Sequence, residues 1–264
     1  MKEYILKILP TMLLEEYLGK VPVQLELTFY ALHDADISTD SFSFYTSVSV
    51  VFSSKIEGEE IELDSYVKHK RFAIEFLPDY TKKTDDLYNA YEFAKTNDLN
   101  KKNISKAHTL LGKNIVASHQ QDKIRTQNMY VTTADGRIEY VAATPDEAKV
   151  EMEKLYADIA FLLKQQLSIE EVFFFAAMIH VVFVKIHPWN DGNGRSGRLI
   201  EKWFLAQMLG GNAWFLQSEK NYYAQYQTYY KNLRALGLEY EALDYSKALP
   251  FLLMLPDSVF LNSV

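Results

Sequence analysis

Fifteen consecutive residues, 172–186 (VFFFAAMIHVVFVKI), leave this chain few ways to fold. Within them residues 173–184 are apolar on every side of a helix, so that helix has no face to offer water and belongs at the buried centre of its domain. Ser168 followed three residues later by Glu171 makes a capping box that opens it. The run falls short of the roughly twenty residues a helix needs to cross a bilayer, which places it in a protein core.

A loop follows and leads into another helix: residues 186–198, IHPWNDGNGRSGR. Gly192 and Gly194 let the backbone come close to a ligand. The amides that open the next helix favour an anion there. Arg195 and Arg198 are neighbours on one helix face, and two guanidiniums beside an amide-lined loop suit several phosphates in a row. Asp191 is a hard oxygen donor next to that anion site, suited to Mg²⁺ held jointly by carboxylate and phosphates. His187, at the loop's entrance, titrates near neutral pH and can take a proton from a hydroxyl. Together these describe a site for moving part of a nucleotide. Singly, each piece has a plainer reading: a Gly-Asn-Gly is often only a turn, and arginines at helical spacing usually line a solvated face. His180 and His187 share a helix face with Asp191 beyond, which allows a zinc reading. His180 lies inside the apolar helix, however, and reads as a hydrogen-bonded core histidine.

The 264 residues suffice for a large core in one domain, or one domain with a small extension. The formal charge of −7, without a long basic block, argues against a nucleic-acid surface. No cysteine is present, so no disulfide framework is possible. The start MKEYILKILP has neither a long apolar stretch nor a small-residue cleavage site and does not read as a signal peptide. The expectation is a soluble, cytoplasmic, mainly α protein with one hairpin.

Along the chain, residues 3–18 carry Tyr4, Ile5, Ile8, Leu9, Met12, Leu13 and Leu14 close to a helical stripe, and residues 21–31 read equally as strand or short helix. From Ser41, SFSFYTSVSVVFSS alternates with period two, which by itself says strand. Residues 58–99 are charged with helical patches, and Asn103 reads as the cap of a helix carrying Ile104, Ala107, Leu110 and Leu111. Residues 127–142 read as a β-hairpin turning at Ala134-Asp135-Gly136. Thr144-Pro145-Asp146-Glu147 starts a helix with a capping box. After the loop a helix over 195–209 stops at Gly210-Gly211, a tyrosine-rich helix spans 219–234, and a last helix over 241–255 ends at Pro256.

HPWNDGNGRSGR resembles the motif HxFx(D/E)GNGRxxR of Fic-domain proteins; Trp189 stands where the family has Phe, one large aromatic anchor for another. Upstream, Ser53-Ser54-Lys55-Ile56-Glu57-Gly58 resembles the inhibitory motif (S/T)xxxE(G/N) of one class of that family. Tyr229-Tyr230-Lys231-Asn232-Leu233 is similar to the YYxxL that often follows the loop. The resemblance covers residues 100–240 and leaves the first forty unmatched. It implies a helical bundle around a buried central helix with a hairpin flap. An N-terminal helical region, 1–99, would contain the inhibitory segment 41–58 and precede a Fic domain with C-terminal helices at 100–264. Because that inhibitory motif lies on a helix, residues 41–58 are expected to be helical against their local alternation.

The implied chemistry is protein adenylyltransfer from ATP to a Ser, Thr or Tyr hydroxyl. His187 would be the base, and Gly192, Asn193, Gly194 and Arg195 would hold the phosphates. Arg198 would hold the γ-phosphate, Mg²⁺ would sit at Asp191, and Tyr229 and Tyr230 would wall the adenine. In the inhibitory segment of Ser53, Glu57 and Gly58, Glu57 would pair with Arg198 and keep ATP from seating productively. The target protein would dock on the hairpin 127–142 by adding a strand. Plainer readings exist here too: Glu57 as an ordinary helix C-terminal glutamate, a purely structural hairpin, an aromatic stripe that is core. Two rival functions stay open. In one, Glu57 positions a water that removes AMP from a modified partner; in the other, the protein senses nucleotide without catalysis. The sequence leaves open the target, its modified side chain, the preferred nucleotide and any homo-oligomer.

Overall fold

Every residue from Val172 to Ile186 is buried. The computed structural model, which describes residues 4–39, 42–132, 136 and 138–262, wraps that run in other helices. In chain order these are α1 (Leu14–Leu18), α2 (Leu25–Tyr30), α3 (Phe44–Ile56), α4 (Leu63–Phe72), α5 (Pro78–Lys95) and α6 (Lys101–Leu111). The two short strands β1 (Tyr130–Thr132) and β2 (Ile138–Val141) follow. Then come α7 (Pro145–Leu162), α8 (Ile169–Ile186), α9 (Asn193–Leu209), α10 (Ser218–Ala224), α11 (Tyr226–Ala235), α12 (Leu249–Leu252) and α13 (Met254–Asp257). Helix α8 is the axis: α1, α2, α7, α9, α12 and α13 all pack on it. Phe173, Phe174 and Phe175 are all fully buried, and burying each contributes about 1.5–3 kcal/mol. Both expected capping boxes form, Thr144 with Glu147 at α7 and Ser168 with Glu171 at α8. Within residues 21–31 the ambiguity resolves to helix, as α2 over Leu25–Tyr30.

Several local expectations fail for identifiable reasons. Residues 4–13 are not helical. Pro10 has no N–H, and its ring would strike the carbonyl one turn back. The buried Asp158 carboxylate instead takes the amides of Lys7, Ile8 and Leu9 at 2.7, 2.8 and 3.0 Å. Helix α6 is capped by Asn100, whose side chain accepts the Asn103 amide at 3.0 Å, so Asn103 lies inside the helix. The tyrosine-rich helix is two, α10 and α11, broken at Gln225 (φ −107°) with neither Pro nor Gly to announce it. The last helix is a series of 3₁₀ turns with the one-turn helices α12 and α13, because Pro250 and Pro256 each remove an amide from the ladder.

Residues 44–56 are helical despite their alternation. The serines that look like a solvent face are not exposed: Ser47, Ser49, Ser53 and Ser54 are all buried. Their hydroxyls are occupied, among them Ser47 donating to the Ser43 carbonyl and Ser49 accepting from Lys202 at 2.6 Å. A period-two pattern predicts a strand only when one face meets water, and α3 is clasped between α5 and α10.

The hairpin forms within the expected span, with Tyr130 opposite Val141, Val131 opposite Tyr140 and Thr132 opposite Ile138. Ala134 and Asp135 of the expected turn lie outside the described residues. The Val141 amide donates to the Leu238 carbonyl at 2.7 Å, while no further strand flanks β1 among the described residues. No helix among the described residues is long and apolar enough to cross a membrane.

Candidate active site

Helix α8 ends because His187 enters the left-handed region (φ 52°, ψ 60°), its amide closing on the Phe183 carbonyl at 3.0 Å. Its Nδ1 lies 3.2 Å from the Val184 carbonyl and 3.3 Å from the Tyr140 hydroxyl, which itself donates to the Val184 carbonyl at 2.9 Å. The carbonyl requires the ring proton on Nδ1, and that assignment leaves the Nε2 lone pair free. Burial pushes the imidazole down to about 4, and the Arg125 guanidinium pushes the same way. At neutral pH His187 is therefore an uncharged proton acceptor.

The loop between α8 and α9 is held from inside. Asn193 accepts the Trp189 amide at 2.9 Å and donates to the Trp189 carbonyl at 2.8 Å. Its side chain is thus used within the loop, leaving its backbone as the part available to a phosphate. Trp189 is buried and stacks on His108 with ring centres 3.8 Å apart. His108 donates from Nε2 to the Asp191 carbonyl at 3.0 Å, and burial lowers its pKa to about 4. Gly192 opens α9 with φ 77°, and a Cβ there would stand 2.8 Å from Leu111 Cδ1. The Asp191 side chain is exposed and accepts the Gly192 amide through Oδ1 at 2.5 Å.

The two arginines of α9 are both engaged. Arg198 is fully buried: Nη2 donates to Glu57 Oε1 at 2.6 Å and to the Ser53 carbonyl at 3.0 Å, Nε to the Ser53 hydroxyl at 2.9 Å, and Nη1 to the Tyr229 hydroxyl at 3.5 Å. Glu57 ends α3 and its carboxylate lies over the first turn of α9, so close that a Cβ built on Gly194 would collide with its Oε1. Burial pushes the Glu57 carboxyl up, but Arg198 and Arg195 pull harder, and the net direction is down. After Glu57 the chain reverses at Gly58 (φ 85°). That turn delivers Glu59, whose Oε1 accepts from Arg195 Nη2 at 3.2 Å and from Lys83 Nζ at 2.8 Å.

The structure thus brings together His187, Asp191, Gly192, Asn193, Gly194, Arg195, Arg198, Ser53, Glu57 and Gly58. Tyr229 is close as well, but in a different way from a pocket wall. It is buried, and its hydroxyl lies between Arg198 and His180 Nε2, the latter at 3.1 Å. Tyr230 is half-buried against Tyr226 and Tyr229. His180 pairs through Nδ1 with Glu201 at 2.8 Å and is the core histidine expected of it. Four residues went unnoticed in the sequence: Glu59, His108, Arg125 and Tyr140. Glu59 was findable as a second acid just past the Gly58 turn; the other three reach the site only through tertiary packing.

A sequence profile of the Fic/DOC family matches residues 98–205. No curated protein matches the chain. Among solved structures it is similar to a Fic family protein from Desulfovibrio desulfuricans G20, at TM-score 0.70 and 20% identity, covering 100% of this chain and 76% of that one. It is also similar to a Fic domain containing signaling protein from Bacteroides thetaiotaomicron VPI-5482, at TM-score 0.63 and 17% identity, covering 95% of this chain and 94% of that one. Fic-1 from C. elegans gives TM-score 0.63 at 14% identity, covering 95% and 69%. The folds agree along nearly the whole chain, the motif loop lies inside the matched segment, and residues 98–205 are a domain of the Fic/DOC family.

Proposed function

We propose that this protein transfers the AMP moiety of ATP to a hydroxyl side chain of a target protein, and that the conformation with Glu57 on Arg198 is its inhibited form. The observation that carries the reading is the 2.6 Å ion pair laid across the first turn of α9. An anion site of amides and arginines is there, and a carboxylate from the chain's own N-terminal region fills it. We extend the inhibitory segment past Gly58, because Glu59 withholds Arg195 as Glu57 withholds Arg198.

When Glu57 withdraws, the phosphates of ATP take its place on the α9 amides, Arg195 and Arg198. The target hydroxyl attacks the α-phosphorus. A new oxygen–phosphorus bond forms, the bond from the α-phosphorus to the α,β-bridging oxygen breaks, and pyrophosphate leaves. His187 Nε2 accepts the hydroxyl proton. Positioning and charge stabilisation supply most of the acceleration in such chemistry. Asp191 fits Mg²⁺: its carboxylate is an exposed hard oxygen donor beside the anion site and would hold the ion jointly with phosphate oxygens. When bound, that ion supplies charge neutralisation on the phosphates. The target segment adds to the hairpin beside β1, where no strand lies among the described residues.

The test is transfer of α-labelled ATP to protein, with the chain itself and a cell lysate as acceptors, by the native sequence, Glu57→Gly, and Glu57→Gly with His187→Ala. Label in Glu57→Gly alone supports the reading. Label in none removes it. A second reading has one observation in its favour: the Glu57 charge raises the proton affinity of His187, and in that reading Glu57 positions a water that releases AMP from a modified partner. AMP release that is lost on replacing Glu57 would favour that reading instead.

A further inference from the structure

Arg125 is a fully buried guanidinium that no carboxylate meets among the described residues. All of its partners are backbone carbonyls. Nε donates to the His187 carbonyl at 2.8 Å, Nη1 to Gln127 at 2.7 Å, and Nη2 to Ala143 and, at 3.3 Å, to Ile186. Its own amide donates to the Pro188 carbonyl at 2.9 Å. These carbonyls belong to two places. Ile186, His187 and Pro188 are the end of α8 and the start of the loop. Gln127 and Ala143 are the two roots of the hairpin, just outside β1 and β2.

A buried cation is costly to desolvate, and burial does lower the Arg125 pKa. A chain that needed only to close the loop could satisfy these carbonyls with neutral donors. The planar fork of arginine does something a neutral donor cannot: it fixes several acceptors in one plane at once. Here it joins the backbone of His187, held in the left-handed region by its neighbours, to both feet of the hairpin. Tyr140 on β2 completes the connection, its hydroxyl reaching His187 Nδ1 at 3.3 Å.

We propose that Arg125 is a positioning residue that locks the hairpin, where a target strand would dock, in register with His187, so that the incoming hydroxyl and its proton acceptor keep one fixed relation. The proposal rests on the adenylyltransfer reading for the role of His187, and on the hydrogen bonds of Arg125 for the lock. Its consequence is a split: disturbing Arg125 harms the transfer step and leaves ATP binding alone, because Arg125 touches neither Arg195, Arg198 nor Asp191.

The variant to make is Arg125→Lys in the full-length Glu57→Gly chain. Lysine keeps the charge and loses the fork. Three readouts apply: ATP binding by titration with ATP and Mg²⁺, self-labelling from α-labelled ATP at saturating ATP, and the titration of His187 by NMR. The expected result is unchanged ATP affinity, labelling slower by on the order of a hundredfold, and a His187 imidazole that titrates above the parent's value as water reaches it. Unchanged labelling with an unchanged His187 titration overturns the proposal, and so does loss of ATP binding in step with labelling, which marks a general structural role. If the lysine variant does not fold, hydrogen exchange on the unsubstituted chain decides. The hairpin amides of residues 129–132 and 138–142 and the hydrogen-bonded loop amides of His187 and Trp189 must open as one unit; a hairpin that opens while the loop stays protected overturns the lock. If the Glu57→Gly parent itself transfers no label, the functional reading fails, and the His187 titration and the exchange pattern still judge Arg125.

Discussion

Glu57→Gly separates competition for the anion site from every other effect at this site. The substitution removes the carboxylate from Arg198 and leaves Ser53 and Tyr229 on the guanidinium. Two opposite consequences follow. The free protein loses stability, because Arg198 is a buried cation deprived of the one carboxylate it meets among the described residues; breaking a buried pair costs about 3–5 kcal/mol. The Glu57 side chain is 25% exposed, which allows water to replace it and puts the loss at the low end, near 3 kcal/mol. ATP binding, in contrast, gains. A charge-assisted hydrogen bond is worth about 1.5–3 kcal/mol, and in the native sequence the γ-phosphate must displace one. The same exposure argues for the lower figure, so the variant should bind ATP about tenfold more tightly, at 1.4 kcal/mol per factor of ten. The assay is thermal unfolding of both proteins without nucleotide and across an ATP–Mg²⁺ series. The variant should melt lower when empty and rise more steeply with ATP, since a ligand that binds only the folded state stabilises by its concentration relative to its dissociation constant. A variant that melts lower and gains no more from ATP than the native chain would refute the competition, leaving Glu57 as a structural end to α3.

Glu59→Gln frees Arg195 while Lys83 keeps a hydrogen-bonding neighbour; a part-exposed, shared pair is worth about 0.2–1 kcal/mol, so ATP affinity by titration should rise about threefold, whereas a fall would mean that Glu59 aims Arg195 at the phosphates. Burial holds the His187 imidazole down at about 4 in the native chain, and replacing Glu57 removes an upward pull on it, so the labelling rate of Glu57→Gly should stay level from pH 8 to pH 5 and drop only at about 4 or below, while a drop centred near 6.5 would show that the imidazole is not held in the desolvated position described. His108, depressed to about 4, favours its neutral form when folded. The unfolded chain therefore binds more protons below about 6.5, and stability present above that value is lost as pH falls toward 4, by about 3 kcal/mol at most; urea unfolding of His108→Phe should show a shallower acid decline than the native chain. Gly192→Ala puts a Cβ 2.8 Å from Leu111 at φ 77° and should destabilise the protein by about 1–3 kcal/mol in the same unfolding assay; no loss would mean that the loop relaxes freely.

How much of this was legible in the sequence depended on the range of the cause. The central helix was plain because an almost unbroken apolar run, 173–184, is apolar on every side, and both capping boxes were plain because their partners stand three residues apart. Residues 44–56 were not plain locally: the buried serines that break the strand reading are satisfied by Lys202, Arg198 and Thr84 from distant helices, and only resemblance to an inhibitory motif pointed to helix. Residues 4–13 failed in the opposite direction. Their stripe fits a helix, and what denies it is Pro10 together with Asp158, whose carboxylate waits some 150 residues downstream.

The site divides along the same line. His187, Asp191, Gly192, Gly194, Arg195 and Arg198 occupy twelve residues, so one turn of loop and one turn of helix suffice to assemble them, and spacing alone conveys the arrangement. What makes the arrangement specific arrives from elsewhere: Glu57 and Glu59 from the end of α3, His108 from α6, Arg125 from the segment before β1, Tyr140 from β2. Of these, Glu57 alone sits in a short motif that announces its destination, and Glu59 follows it past the Gly58 turn; His108, Arg125 and Tyr140 have no local pattern that does so. His108 reads as an ordinary helix residue until Trp189 stacks on it, and Arg125 reads as one more surface cation in a polar stretch until its fork closes on carbonyls from the loop and both roots of the hairpin. A short motif can hold the atoms that touch a nucleotide, because phosphate recognition needs only a helix start and two cations. Holding a proton acceptor fixed against a docked strand needs backbone from two parts of the fold tied together, and that requirement is met by residues whose roles exist only after folding.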